Sequence, residues 1–389
     1  MIQNLLIIFK EKKKDNIFNF YINTKFSKKF NVEFLYISEY LNLTTKSIVK
    51  IINYKIRELK IDVILFEGDH VSIIDKDFVD SIDVSVKKGL ISFDDNYYHA
   101  ENIILSSSMD FALVTDEYLK IQLQEIGLDS HICLVEDDKN IFKDYGEKKK
   151  YDVLFFGKNK TDRKHICSYL ESNGIKVKII KEDDKAYTDH YNLAKVINQS
   201  KIVLCPTKTE STKRKNNVLF NYKFTFQHKG RPYMSGLCNS LAISEPFPAY
   251  EMIFKLNELP IFYNLDHCLK LVKKYLSNSN LLKKDTEKFH SAVNNYVQKN
   301  SIENIEKFIC NISKRKTINK IRIPFWYQFL FFKKNLLLRY KNNHIMAFFF
   351  TYLEMYSLAK YKLLIILVLI SPTIPIFLIS ILIKKNFKI

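Results

Sequence analysis

The sequence predicts an α/β protein made of two doubly wound domains in tandem, followed by a basic helical segment that associates with a membrane. Three observations carry that expectation. Short apolar runs alternate with longer polar-faced stretches, a charged break at residues 136–151 separates two such series, and positive charge gathers with apolar residues after residue 312. At 389 residues the chain is too long for one ordinary domain. Its 47% hydrophobic and 26% charged residues form a globular balance, and eight Gly and eight Pro exclude a collagen-like or wholly disordered chain.

In the first series, runs at residues 5–9, 32–37, 62–66, 89–93, 111–115 and 131–135 have the length and unbroken apolar character of parallel strands buried on both faces. Each leads into a longer amphipathic stretch, which is the grammar of βαβ units. The second series opens at 152–157 and continues through a helix at 161–173, a strand at 177–180, a helix at 190–199 and a strand at 201–206. Two further strands fall at 240–244 and 259–263, and Gly174 is placed for a left-handed helix cap. Residues 265–312 read as helices closing the second domain, so the chain divides into 1–140, 150–312 and 313–389. Ligands of doubly wound sheets lie at the carboxyl ends of the strands, and a cleft between two facing sheets is the expected site.

The third region differs in kind. Of the net charge of +19, residues 313–389 hold fourteen Lys and Arg against one acid, Glu354, which leaves only +6 on the first 312 residues. Aromatic-rich stretches at 325–332 and 347–356 flank a basic stretch, as in helices lying in a bilayer interface. Residues 363–383 carry no charge; at about 1.5 Å per residue such a run spans roughly 31 Å, enough for a hydrocarbon core of about 30 Å. Pro372 and Pro375 in its middle favour either a kink or a re-entrant hairpin. Basic residues interleaved with apolar runs suit an anionic membrane surface and not nucleic acid, whose binders need a basic stripe on the folded domains.

Six cysteines without CxxC or Cys/His pairing indicate neither a zinc site nor a disulfide framework, and so a reducing compartment. The apolar run at 4–9 precedes Lys10 and the Lys12, Lys13, Lys14 cluster, the reverse of a signal peptide. The expected location is the cytoplasmic side of the cell membrane, with residues 313–389 as anchor.

Chemistry concentrates at residues 228–245, where Lys229, Gly230 and Arg231 precede a short helix and an apolar strand ending in Ser244 and Glu245. Two cations before a helix can hold a diphosphate or form a solvated pair. The run Lys229-Gly230-Arg231-x-Tyr233, followed by residues 240–245 and then Pro248-x-x-Glu251, resembles the second-domain signature of GT-B glycosyltransferases of the spore-maturation-protein type. Residues 152–157 with Arg163 and Gly174 are similar to that family's opening strand, glycine loop and helix, and 199–204 to its next strand.

The resemblance implies a GT-B fold, two Rossmann-like domains facing a cleft, and a metal-independent, hexosyltransferase-type enzyme without a resident cofactor. It implies a nucleotide-sugar donor bound to the second domain by Gly157, Arg163, Lys229 and Arg231, with the acceptor on the first; the membrane-associated tail suits a glycan or lipid-linked acceptor. Two positions depart from the family. Met234 stands where the family has a ribose-binding Glu, and Asn239 where it has Gly. Methionine cannot accept the ribose hydroxyl hydrogen bonds, so either Glu245 or Glu251 takes that role, donor binding is altered, or the chain is a catalytically inactive scaffold. Asn239 is the milder change, since Asn tolerates a left-handed turn.

An inverting transfer needs a base for the acceptor hydroxyl. Asp94 and Asp95, after a first-domain strand, are the catalytic candidates, with plain turn chemistry as the alternative reading of the pair. His190, His228 and the Glu67-Gly68-Asp69-His70 run are the other options.

Overall fold

The computed structural model describes residues 4–10, 17–68, 74–93, 102–135, 137–157, 161–181, 184, 187, 189–210, 224–226, 228–314 and 344. Asp94 and Asp95, Asp69 and His70, and all of residues 315–343 and 345–389 lie outside this set, and with them the amphipathic and apolar stretches expected of the tail. Among the described residues no helix is long and apolar enough to cross a membrane.

The first sheet contains six strands: β1 (Asn4–Phe9), β2 (Asn31–Tyr36), β3 (Val63–Glu67), β4 (Lys87–Ile91), β5 (Phe111–Val114) and β6 (Asp129–Ile132). They run in the order β2-β1-β3-β4-β5-β6, and every pairing is parallel. The second sheet orders β12 (Leu241–Ser244), β9 (Ser200–Cys205), β7 (Tyr151–Phe156) and β8 (Val177–Ile180), again all parallel. Most strand residues have no solvent contact, which is why these segments read as continuous Val, Ile, Leu and Phe runs.

Helix starts follow local chemistry. Thr44, Asp75, Asp116, Asp189, Asn264 and Asn278 each accept a backbone N–H of the first turn with the side chain. The helix Thr45–Glu58 buries Ile48, Val49, Ile52 and Ile56 at the 3.6-residue period and turns its charged side outward. Full burial of Ile52 is worth roughly 1.5–3 kcal/mol, and Ile52→Ala would forfeit more through the cavity left behind. Gly174, at φ +80°, closes the helix Thr161–Ser172 as expected.

The structure corrects the sequence reading at three places. Residues 259–263 do not form a strand: only Ile261 bridges to Ser244, with Ser244 N–H donating to Pro260 O and Phe262 N–H to Ser244 O. A two-stranded antiparallel ribbon, β10 (Lys208–Glu210) with β11 (Phe224–Phe226), was not foreseen, because three-residue strands show no periodicity. The helix Ile302–Asn311, by sequence the end of the second domain, packs on the first sheet. Its Phe308 meets Phe111 edge-on at 6.0 Å and His131 at 5.1 Å, and Lys87 Nζ donates to the terminal carbonyls of Ile309 and Cys310.

Candidate functional site

From β7 the chain winds one way to β8 and the other way to β9 and β12, so β7 and β9 flank the topological switch point, where ligands of such sheets bind. Strand β7 ends in Phe156 and Gly157. Gly157 has φ +113°, and its N–H donates to Ile180 O. Arg231 fills the space beside it. Its Nε donates to Phe156 O at 2.7 Å, and its guanidinium carbon lies 5.2 Å and 5.7 Å from the ring centres of Phe155 and Phe156. A Cβ at residue 157 would sit 2.5 Å from Arg231 Nη2. Arg231 is 8% exposed, and among the described residues it makes no ion pair, while its Nη1 is buried without a hydrogen-bond partner. A cation taken out of water without a carboxylate costs several kcal/mol unless an anion completes it.

The helix carrying this arginine, Arg231–Leu237, is buried along its whole length. Pro232 fits its first turn, and Gly236 lets Val293 of the helix Ser279–Lys299 approach so closely that a Cβ would meet it at 2.5 Å. Asn239 ends the helix at φ +53°, the left-handed turn anticipated for it. Its Nδ2 donates to Asp144, and Lys149 Nζ donates to the Asn239 carbonyl and to Ser240 Oγ, each at 3.0 Å. Burial pushes the Lys149 ammonium down to about 8. Met234, 7% exposed, is part of this packed helix.

Ahead of the helix, Tyr233 Oη and His228 Nε2 are 2.6 Å apart, and the imidazole is ringed by Tyr233, Phe247 and Tyr250. Burial, then the charge of Lys229, pushes His228 down to about 3, and burial holds Tyr233 well above the usual phenol range. The pair is therefore neutral and joined by one hydrogen bond whose donor is set by the imidazole tautomer, and His228 serves as an anchor for the Lys229–Arg231 segment. Tyr250 Oη adds a bond to Lys229 O at 3.3 Å. Lys229 itself is half-buried.

Glu245, just past β12, uses one carboxylate oxygen to accept from Thr207 N and Lys208 N, both at 2.8 Å, and so pins the exit of β9 beside the crevice. Arg163 is 6% exposed and not on a solvated helix face. Glu251 is exposed in the first turn of the helix Pro248–Ile253, where no hydrogen bond ties it to Arg231 or Glu245 among the described residues. His190 packs against Tyr21 of the first domain with ring centres 4.7 Å apart and planes tilted by 43°, and burial lowers its pKa.

Across the junction, β5 runs into Thr115, Asp116 and Glu117. Asp116 is 1% exposed, accepts from Tyr118 N at 2.7 Å, and is pushed up to about 6 by burial. Its charge is felt by Tyr233, Tyr250 and Tyr296 of the second domain. Glu117 accepts from Tyr296 Oη at 3.0 Å and from Lys120 Nζ at 3.0 Å, while Tyr296 stacks on Tyr233 at 5.6 Å. One contact path therefore joins the carboxyl end of a first-domain strand to the Arg231 helix. Asp116 and Glu117 lie just beyond the apolar run at 111–115 and are not among the residues expected of the site, although an acid doublet just after an apolar strand is the same signal that Asp94 and Asp95 give. Among the described residues no group of three His, Cys, Asp or Glu side chains is placed to hold a metal ion.

No protein-family model matches this chain, and no curated protein matches it. Solved structures do. HepE of Anabaena in complex with UDP superposes with a TM-score of 0.52 at 8% identity, covering 79% of this chain and 98% of HepE. Sucrose-phosphate synthase from Thermosynechococcus elongatus gives 0.53 at 6% identity, covering 79% and 98%. At such identities the likeness defines the class of fold, GT-B with two parallel-sheet domains.

Proposed function

We propose that this chain is a glycosyltransferase that moves a sugar from a nucleoside-diphosphate sugar to a glycan or lipid-linked acceptor at the cytoplasmic face of a membrane. The observation that carries the reading is Arg231, a buried cation at the switch point of the second sheet, with one guanidinium nitrogen unsatisfied and a side-chain-free residue beside it. The resemblance of the 229–251 segment to spore-maturation-type transferases supports a donor diphosphate at that place, and the complex of the fold neighbour HepE with UDP supports a nucleotide ligand in general.

In this reading the acceptor hydroxyl oxygen attacks the anomeric carbon of the donor. A new C–O bond forms, the bond from that carbon to the diphosphate breaks, and the diphosphate leaves with the electron pair. Arg231 and Lys229 stabilise the charge that grows on the leaving group, and they supply it from fixed positions without a resident metal or cofactor. The hydroxyl proton goes to a first-domain carboxylate. Asp116 suits the task among the described residues, because a carboxyl pushed up to about 6 is a stronger base than an exposed one. Asp94 and Asp95 are the alternatives. Residues 313–389 hold the enzyme beside a membrane-bound acceptor and confine both partners to one surface.

The test is release of nucleoside diphosphate from a panel of UDP-, GDP- and dTDP-sugars with membrane extract as acceptor. Acceptor-dependent release that Arg231→Met abolishes supports the reading, and no release from any donor overturns it. A second reading, a binding protein of the same fold without turnover, rests on Met234, which puts a buried thioether where the resembling family has a ribose-binding carboxylate. It requires nucleotide binding without product.

A further inference from the structure

We propose that the outward face of the helix Thr45–Glu58 is a docking surface for an anionic lipid bilayer. At about 100° per residue, Lys46, Arg57, Lys50 and Tyr54 fall within an arc of roughly 80°, with no acidic side chain inside it. All four are exposed, Tyr54 to 58%; Lys55 lies on another face and pairs with Glu33 at 2.8 Å. Among the described residues Lys50 and Arg57 make no ion pair, and Asp83, whose carboxyl is lowered chiefly by hydrogen bonds from Ser85 and to a lesser extent by Arg57, tempers the latter. Cations around an amphipathic aromatic ring match a bilayer interface, where the ring enters the headgroup region and each cation gains about 1 kcal/mol from anionic lipid.

The occupant is indicated by where the chain goes. Asn53 of this helix holds the following loop through Asp83 N (2.9 Å) and Ser81 O (3.4 Å), and that loop displays Val84 at 81% exposure. Lys314 Nζ donates to Val84 O at 3.2 Å. Lys314, from which the basic, apolar sequence continues, therefore lies beside this face, and an anchor formed by that sequence in the bilayer would bring the helix onto the same surface. The inference rests on the reading of residues 313–389 as a membrane segment, and is independent of the donor site.

The test uses the full chain with Cys310→Ser, which removes the exposed thiol found among the described residues, and Tyr54→Cys labelled with a polarity-sensitive fluorophore. Vesicles of phosphatidylcholine with phosphatidylglycerol should co-sediment the protein and shift the emission to the blue, and pure phosphatidylcholine should give no shift. Lys50→Glu with Arg57→Glu should abolish the shift and weaken anionic-vesicle binding at least about tenfold. Co-sedimentation without a shift, or a shift indifferent to the charge reversal, overturns the docking surface while leaving the tail as anchor. Absence of co-sedimentation overturns both, and nucleotide binding by the same preparation shows whether the protein is folded and the donor site intact.

Discussion

Gly157 and Arg231 occupy one another's space: the arginine Nε is bonded to the carbonyl just before the glycine, and its Nη2 lies where a side chain at 157 would begin. The strand end is shaped around a cation, and the cation is held against a strand end. This mutual fit places a positive charge at the switch point with no ion pair to a carboxylate among the described residues, as a ligand site requires and a structural ion pair does not.

Gly157→Ala tests that fit from the backbone side. At φ +113° an alanine is strained by about 1–3 kcal/mol, and its Cβ would also displace the guanidinium. The melting temperature is expected to fall by several degrees, and stabilisation by nucleoside diphosphate to disappear. A variant that melts lower yet keeps its full nucleotide shift would show that the glycine serves only the turn.

Arg231→Met tests it from the other side. Methionine matches the stem and removes a buried charge that lacks a full set of partners, so unliganded stability should change by no more than about 1–2 kcal/mol. Nucleotide binding should fall at least about a hundredfold, since a charge-assisted contact in a buried site is lost. If Arg231 were a structural strut, the same substitution would lower the melting temperature sharply and leave nucleotide affinity in the surviving fold unchanged.

Tyr296→Phe addresses the junction. Glu117 would keep Lys120 but lose the phenol, leaving a buried carboxylate oxygen unsatisfied at a cost of about 1–3 kcal/mol. Because the bond joins the two domains, thermal unfolding followed by calorimetry should broaden or split. A single transition moved by less than about half a kcal/mol would contradict the assignment.

Acid behaviour separates two groups with opposite signs. His228, lowered to about 3 from 6.5, contributes stability that is fully present above pH 6.5 and is lost as pH falls toward 3, because the unfolded chain takes up the proton first. Asp116, raised to about 6 from 3.8, is destabilising once ionised, so its contribution falls as pH rises from 3.8 through 6. The slopes offset each other in wild type. Asp116→Asn should raise stability at pH 7 by on the order of 2 kcal/mol, steepen the loss on acidification, and abolish transfer if the carboxylate is the base. Unchanged turnover in this variant would return that role to Asp94 or Asp95.

The strand alternation was legible in the sequence because buried parallel strands must be apolar on both faces, and the boundaries of β7, β8 and β9 fall within a residue of expectation. Gly157, Arg231 and Asn239 were legible because each answers to a local need: close approach, charge, or a left-handed turn. Asp116 and Glu117 carry the same local signal as Asp94 and Asp95, but their link to Tyr233 and Tyr296, far away in sequence, was not legible. The return of the helix Ile302–Asn311 to the first sheet was equally hidden, because its amphipathic face would suit either domain.

The central claim, an anion site completed by Arg231, is tested most directly by calorimetric titration of the full-length protein and of Arg231→Met with UDP, GDP, CMP and dTDP. The expected result is saturable binding of one nucleoside diphosphate to wild type, with the variant folded and at least about a hundredfold weaker. Equal binding by both proteins, or no binding of any nucleotide to a folded wild type, would contradict the account.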